Sequence, residues 1–229
     1  MELISINIPV LNASEFLAET ISSILDQDYK NWKLIICDGG SDDGTIHILE
    51  YYAKRDQRIS FLIKKGAGIA QARNFCFKES SGKYIAVMDG DDLMVRERLS
   101  YSLKFLKKEK ADIVYSNYFE GDHHGNIMDI FNTGKIEMNK ITLKDVCESQ
   151  IVPHATMLTK RECFEKVEYR NRGKMDDDHY FIAKLYREGF IFKKMSYPVL
   201  IKRYHDNQAY RRDHDAYIAQ SAELLELLT

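Results

Sequence analysis

No two of the four cysteines, Cys37, Cys76, Cys147 and Cys163, are spaced as a CxxC pair. That excludes the common redox and zinc motifs and points to a reducing compartment without structural disulfides. Cys37 and Cys76 fall in apolar periodic segments and read as small packed hydrophobes. A basic excess is also missing: 33 Lys and Arg stand against 35 Asp and Glu, a net charge of −2. A chain that held nucleic acid non-specifically would need that excess to displace counterions, so nucleic acid is set aside as a partner. The opening residues, MELISINIPV, lack the basic segment and long apolar run of a secretory signal. No stretch reaches the roughly 18 apolar residues of a membrane span. These absences lead to the expectation of a cytoplasmic protein, with peripheral contact at the inner face of a membrane left open. Repeats, low-complexity segments and linkers are absent too.

What is present is ordinary for a globular chain: 229 residues, 45% hydrophobic and 30% charged. That length builds one sizeable core. Short apolar runs alternate with amphipathic segments through the first half. Strands are expected from Leu3 to Ile8, ending at Pro9, then over Leu34–Cys37, Ile59–Ile63 and Tyr84–Met88, with a fifth opening at Asp112–Tyr115. Helical spacing falls between them, at Phe16–Leu25, Ile46–Ala53, Ala70–Phe77 and Arg96–Lys108, with Asp42 or Asp43 placed to cap the second. Alternation of this kind implies an α/β fold with a mostly parallel sheet. Residues 118–140 read as a long loop or hairpin, Ile151–Leu158 and Pro198–Tyr204 as strands, and Asp177–Glu188 and Asp213–Leu228 as helices.

Ligands of such sheets bind at the carboxyl ends of the strands. Three polar turns fall there. Asp89-Gly90-Asp91-Asp92 places three carboxylates in four positions after a buried strand. Like charges so close repel unless a cation is present, and a hard divalent ion with oxygen ligands would resolve the repulsion. Gly90 lets a ligand approach the backbone. The competing account is an Asp-rich helix start favoured by the macrodipole. In the turn Asp38-Gly39-Gly40-Ser41-Asp42-Asp43-Gly44-Thr45, small residues leave room for a ligand and Asp38 can accept from a base or ribose. A plain Asx turn explains it as well, and it matches neither a dinucleotide fingerprint nor a phosphate loop. A third cluster, Asp176-Asp177-Asp178, offers either a general base or an N-cap.

Taken in order and spacing, these segments resemble glycosyltransferase family 2, which has the GT-A fold. Ser5 to Asn12 is similar to that family's first strand and its Pro-x-aromatic-Asn turn, and Ser22 to Gln27 to the helix end that follows. Cys37 to Thr45 resembles its Asp-Asp-Gly-Ser-x-Asp-Gly-Thr turn. Ala72-Arg73-Asn74, Ser81 to Ile85 and Asp89 to Asp92 match in residue type and separation, and His154, Asp177-Asp178 and Gly189 follow in order. The resemblance implies one GT-A domain over 1–229, with a nucleotide-sugar half at 1–116 and an acceptor half with a C-terminal helix at 117–229. It implies an inverting glycosyltransferase that moves a hexose from a nucleoside diphosphate sugar, a UDP-sugar by preference, to a hydroxyl of a glycan or lipid-linked glycan. Polysaccharide biosynthesis is the associated task. Pro9, Leu11, Glu15, Asp38 and Gly39 would line the nucleotide pocket. Arg73 would face the ribose or diphosphate, with Asp89 and Gly90 beside it. Asp91 would hold a divalent metal, Mn²⁺ or Mg²⁺, joined by His205, for which an exposed loop histidine is the other account. Asp178 would be the general base. His154 and Asp177 would shape the acceptor side, where His154 reads equally as a buried, hydrogen-bonded histidine.

Two positions depart from the family pattern. Gly39 stands where the family has a second Asp, and Leu11 where it has an aromatic residue, so a base hydrogen bond and a stacking contact are both replaced. Rival functions fit less of the chain. A sugar-phosphate nucleotidyltransferase wants a glycine- and basic-rich loop after the first strand, where Pro9 to Glu15 holds neither Gly, Lys nor Arg. A non-catalytic nucleotide-sugar-binding module leaves Asp89, Asp91 and Asp178 unexplained together. The basic residues Lys202, Arg203, Arg211 and Arg212 would touch lipid or donor phosphates, or form a plain surface loop. The last helix, with its leucines and glutamates, suits core or homodimer packing.

Overall fold

The computed structural model describes residues 1–132, 141–148, 151–170 and 177–206. Its centre is a seven-stranded sheet in the order β10-β6-β9-β4-β1-β2-β3. These strands are β1 (Ile4–Val10), β2 (Trp32–Asp38), β3 (Ile59–Ile63), β4 (Tyr84–Val87), β6 (Ile113–Ser116), β9 (Leu158–Lys160) and β10 (Phe192–Met195). β1 pairs in parallel with β2 and β4, and β2 with β3; β9 alone runs antiparallel, between β4 and β6. The expected α/β class with a mostly parallel sheet is therefore the one observed.

Both faces of the sheet are covered, and the side-chain period of two along each strand shows how. From β4, Tyr84 and Ala86 join one core with α1 (Leu17–Leu25), α2 (Thr45–Ala53) and α4 (Arg98–Lys108). Ile85 and Val87 join the opposite core with α5 (Leu143–Glu148), α6 (Arg161–Lys166) and α7 (Asp177–Arg187). α3 (Ile69–Glu79) packs on the same side, where Ala72 and Cys76 meet Ile35 and Cys37 of β2. All four cysteines are buried thiols, none in a disulfide.

A second, four-stranded sheet was not expected. β5 (Leu93–Met94), β7 (Tyr118–Gly121), β8 (Ile127–Phe131) and β11 (Leu200–Arg203) lie in the order β5-β11-β7-β8. β7 and β8 form the hairpin anticipated near 118–140. Two expectations need correction. Ile151–Leu158 is not a strand: Pro153, with φ −63°, leads into a 3-10 turn at His154–Thr156, and pairing begins only at Leu158. Pro9 does not end β1, because Pro9 and Val10 continue opposite Cys37 and Asp38; the pairing with β4 stops earlier, at Asn7. The helix expected over Asp213–Leu228 lies outside the described residues, as do Arg211, Arg212 and Asp176. Among the described residues no helix is long and apolar enough to cross a membrane.

Candidate active site

Three loops leave the carboxyl ends of the parallel strands β1, β2 and β4, at the point where chain order reverses about β1. Connections departing to opposite sides of the sheet open a crevice there.

The first two loops are stitched together. Asn12 N–H donates to Ser41 Oγ and Ala13 N–H to Thr45 Oγ1, both at 2.8 Å, and Ser14 N–H donates to Asp43 Oδ2 at 2.9 Å. In return Asn12 Oδ1 accepts from Asp42 N–H at 3.0 Å. Asn12 adopts a left-handed φ of 52°, which asparagine tolerates better than most residues. Asp43 also accepts from Thr45 N–H at the start of α2, so it is the capping carboxylate of the two considered, although Gly44 occupies the formal cap position. Those bonds outweigh desolvation and hold Asp43 ionised, well below the usual carboxylate range.

Asp38 is fully buried, and its carboxylate serves its own loop. Oδ1 accepts from Gly40 N–H at 2.8 Å and Ser41 N–H at 2.9 Å, and Oδ2 accepts from the Ser41 hydroxyl at 2.5 Å. The geometry is that of the Asx turn, with the carboxylate shaping the loop from within. Gly39 is clamped by its backbone, donating to Val10 O and accepting from Gly66 N–H, each at 2.9 Å. A Cβ on Gly39 would lie 3.3 Å from Ala67 O and 3.4 Å from Leu11 Cδ1. The two departures from the family pattern therefore face each other: Leu11, 61% exposed, leans over a residue without a side chain. Pro9 lies one residue deeper in β1. Glu15 points to the hairpin instead, pairing with His123 at 3.0 Å.

The third loop carries the acidic cluster. Arg73, buried on α3, donates to Asp89 Oδ1 at 3.2 Å. Gly90 is held so tightly that a Cβ would come within 2.7 Å of Val10 Cγ1, and its carbonyl accepts from the Thr20 hydroxyl at 3.0 Å. Asp91 Oδ2 meets His205 Nε2 at 3.1 Å. The His205 ring is nearly buried and tilts over Phe16, with centroids 4.3 Å apart. Asp92 turns inward: Oδ1 accepts from Arg203 N–H at 3.2 Å, and Oδ2 is buried without a hydrogen bond. Burial pushes the Asp91 carboxyl up, Asp89 adds to this, and His205 pulls it back. Burial, then Asp91 and Asp89, drive Asp92 well above its ordinary value.

The cations that offset this charge were not recognised from sequence. Arg98 of α4 is buried beneath the loop, donating from Nη2 to Val87 O at 2.6 Å and to Ala155 O at 2.7 Å. Arg203 is not a surface-loop residue, as its basic neighbourhood suggested. It is completely buried at the end of β11, paired with Glu19 and donating from Nε to Asp91 O. Lys202, on the other face of β11, lies over the Tyr118 ring. Burial lowers its ammonium, but Asp92, Asp89, Tyr204 and Asp178 raise it further, and the net shift is upward. Asp178 is thus within electrostatic reach of Lys202. It is half-buried in the first turn of α7, and its Oδ1 accepts from His179 N–H at 2.7 Å. The Asp177 side chain lies outside the described residues. His154 is the buried, bonded histidine: Nε2 lies 2.7 Å from the Tyr169 hydroxyl, and burial, then Arg73 and Arg98, hold the ring neutral.

Among the described residues no three His, Cys, Asp or Glu side chains form a ready-made metal cage. Two suffice where the substrate supplies phosphate oxygens. Adjacent ligand atoms on a cation with bonds of about 2.1 Å lie about 3 Å apart, and Asp91 Oδ2 and His205 Nε2 stand 3.1 Å apart. A carboxyl raised by burial and by a second acidic residue is the environment that a divalent ion relieves. The residues present fit such an ion.

Comparison with known proteins agrees with this geometry. Residues 5–168 match the family model described as Glycosyl transferase family 2. An Escherichia coli relative, UDP-Glc:alpha-D-GlcNAc-diphosphoundecaprenol beta-1,3-glucosyltransferase WfgD, is 35% identical over 141 residues, covering 61% of this chain and 54% of WfgD. Staphylococcus aureus TarS 1–349 in complex with UDP-GlcNAc superposes with a TM-score of 0.75 at 17% identity, over 100% of this chain and 65% of that one. The Pyrobaculum calidifontis mannosyltransferase PcManGT, in complex with GDP-Man and Mn²⁺, gives 0.74 at 17% identity, over 97% and 64%. Other curated relatives are spanned over 20 to 80% of their length, and the first three over 20, 66 and 63%. Fold and site together define a GT-A-type α/β domain with an acidic loop at its switch point. The chain belongs to glycosyltransferase family 2.

Proposed function

We propose that the chain is an inverting glycosyltransferase that moves a sugar from a nucleoside diphosphate sugar to a hydroxyl of a glycan or lipid-linked glycan. The observation that carries this reading is the convergence of Asp91 and His205 at the carboxyl edge of the sheet, beside the nucleotide-side loops. A UDP-sugar is the favoured donor, supported by the UDP-Glc in the name of WfgD and the UDP-GlcNAc bound to TarS. The GDP-Man bound to PcManGT makes the guanine nucleotide the natural control.

Each residue then has a task. Leu11 and the backbone around Gly39 present an aliphatic surface to the base, while Asp38 keeps that loop in shape. Arg73 holds Asp89 towards the ribose and diphosphate. Asp91 and His205 hold the divalent ion, which when bound supplies Lewis-acid stabilisation of the charge developing on the diphosphate. Asp178 takes the proton of the acceptor hydroxyl as its oxygen attacks the anomeric carbon. One displacement inverts the anomeric configuration and needs no covalent intermediate.

A nucleotidyltransferase would need free phosphate-binding donors after β1, and there the amides of Asn12, Ala13 and Ser14 are engaged by the second loop. Asp178→Asn should leave UDP binding intact and lower transfer by about 10²- to 10⁴-fold. Product mass from a panel of UDP- and GDP-sugars, with calorimetry of UDP, measures both. Normal turnover of the variant would remove Asp178 from the mechanism.

A further inference from the structure

We propose that Arg203 is a positioning residue that preassembles the divalent-metal site; this rests on the reading of Asp91 and His205 as the metal ligands. The guanidinium joins two elements far apart in sequence. Nε donates to the carbonyl of Asp91, and Nη2 donates to Phe16 O at 3.2 Å and Thr20 Oγ1 at 3.1 Å. Nη1 pairs with Glu19, and the Arg203 backbone N–H donates to Asp92 Oδ1. Thr20 extends the brace, its hydroxyl lying 3.0 Å from Gly90 O and 2.9 Å from Asp92 O. The acidic loop is thereby fastened to helix α1 at residues 90, 91 and 92.

The same side chain governs the second ligand. His205 lies two residues beyond Arg203, so anchoring the end of β11 fixes where its ring begins. Phe16 sets the ring's tilt: its centroid is 4.3 Å from His205, and the Arg203 guanidinium lies 4.8 Å from the Phe16 ring. One planar cation thus orients Asp91 through its main chain and His205 through Phe16. Burying a guanidinium is costly, and an apolar residue would fill the volume better if filling were the only need. Lysine offers one point charge in place of the planar fork and would not span Asp91, Phe16, Thr20 and Glu19 together.

Two variants test this by titrating Mn²⁺ calorimetrically into protein saturated with UDP, and by titrating UDP without metal. Arg203→Lys and Thr20→Val should each weaken Mn²⁺ binding by about 10- to 100-fold, the usual effect of losing a group that orients a ligand. Metal-free UDP affinity should stay at the wild-type value, which general collapse of the site would not allow. Should Arg203→Lys fail to fold by circular dichroism, Thr20→Val decides, because valine keeps the shape and removes only the hydroxyl. A folded Thr20→Val or Arg203→Lys protein that binds Mn²⁺ as tightly as wild type overturns the proposal. Wild type that binds UDP but no Mn²⁺ overturns the metal reading itself, and with it this role, so the two failures are distinguishable.

Discussion

Asp91→Asn should abolish Mn²⁺-dependent binding of UDP and lower sugar transfer by about 10³-fold, the scale of losing a preorganised electrostatic group at a developing charge. Asparagine keeps the size and one carbonyl oxygen of the side chain but not the anionic charge. His205 alone offers a single nitrogen, and the residual site becomes a poor match for a hard cation. The metal-free variant should nevertheless melt no lower than wild type. Burial, and then Asp89, already push the Asp91 carboxyl up, so its negative charge is a strain on the folded protein that the amide removes. Loss of function with unchanged or raised stability is what a functional residue shows and a structural one does not. Calorimetry with and without Mn²⁺, beside thermal melts of the metal-free proteins, separates the two. A variant that keeps metal-dependent binding would remove Asp91 from the metal site.

Much of the first half was legible because its period and its punctuation agree. Ile59–Ile63 is a strand with the expected bounds, and the helices at 17–25 and 98–108 follow their apolar spacing. Asp89-Gly90-Asp91-Asp92 stood out because three charges after a buried strand need a reason. The rest was hidden for physical reasons. β5 has two residues and β10 reads Phe-Lys-Lys-Met, so neither shows a run or a clean alternation. Lys202 and Arg203 look like solvated charge in one dimension; only the pairing of β11 with β5 and β7 turns Arg203 into the interior. Arg98 carried a weak signal, since it falls on the face of α4 that also buries Leu99, Ser102 and Leu106. Asp38 shows the opposite limit: its type and place suggest a ligand contact, and they do not reveal that its oxygens also accept three bonds from its own loop.

Arg98→Met should destabilise the metal-free protein by about 2 to 5 kcal/mol, the cost of leaving two buried carbonyl acceptors without their donor. For a chain of this size that is a fall in melting temperature on the order of 10 °C. Methionine replaces most of the volume but leaves Val87 O and Ala155 O without the Nη2 donor. It also removes a buried cation that interacts electrostatically with Asp92 and Asp89. Burial lowers that guanidinium to about 10, with Asp92 and Asp89 opposing the fall, so it is charged at neutral pH. The sign with pH follows. The folded-state value of Asp92 already lies well above its ordinary one, so the folded protein holds a proton that the unfolded chain gives up. Stability therefore falls as pH rises from the ordinary carboxylate range towards that raised value. Losing Arg98 moves the folded value higher still and extends the window upward. The deficit of the variant should accordingly be smaller at acidic pH and grow towards neutral and alkaline pH, as urea melts across that range would measure. A deficit that does not vary with pH would mean that Arg98 acts through its two carbonyl bonds alone and not as the counter-charge of the acidic loop.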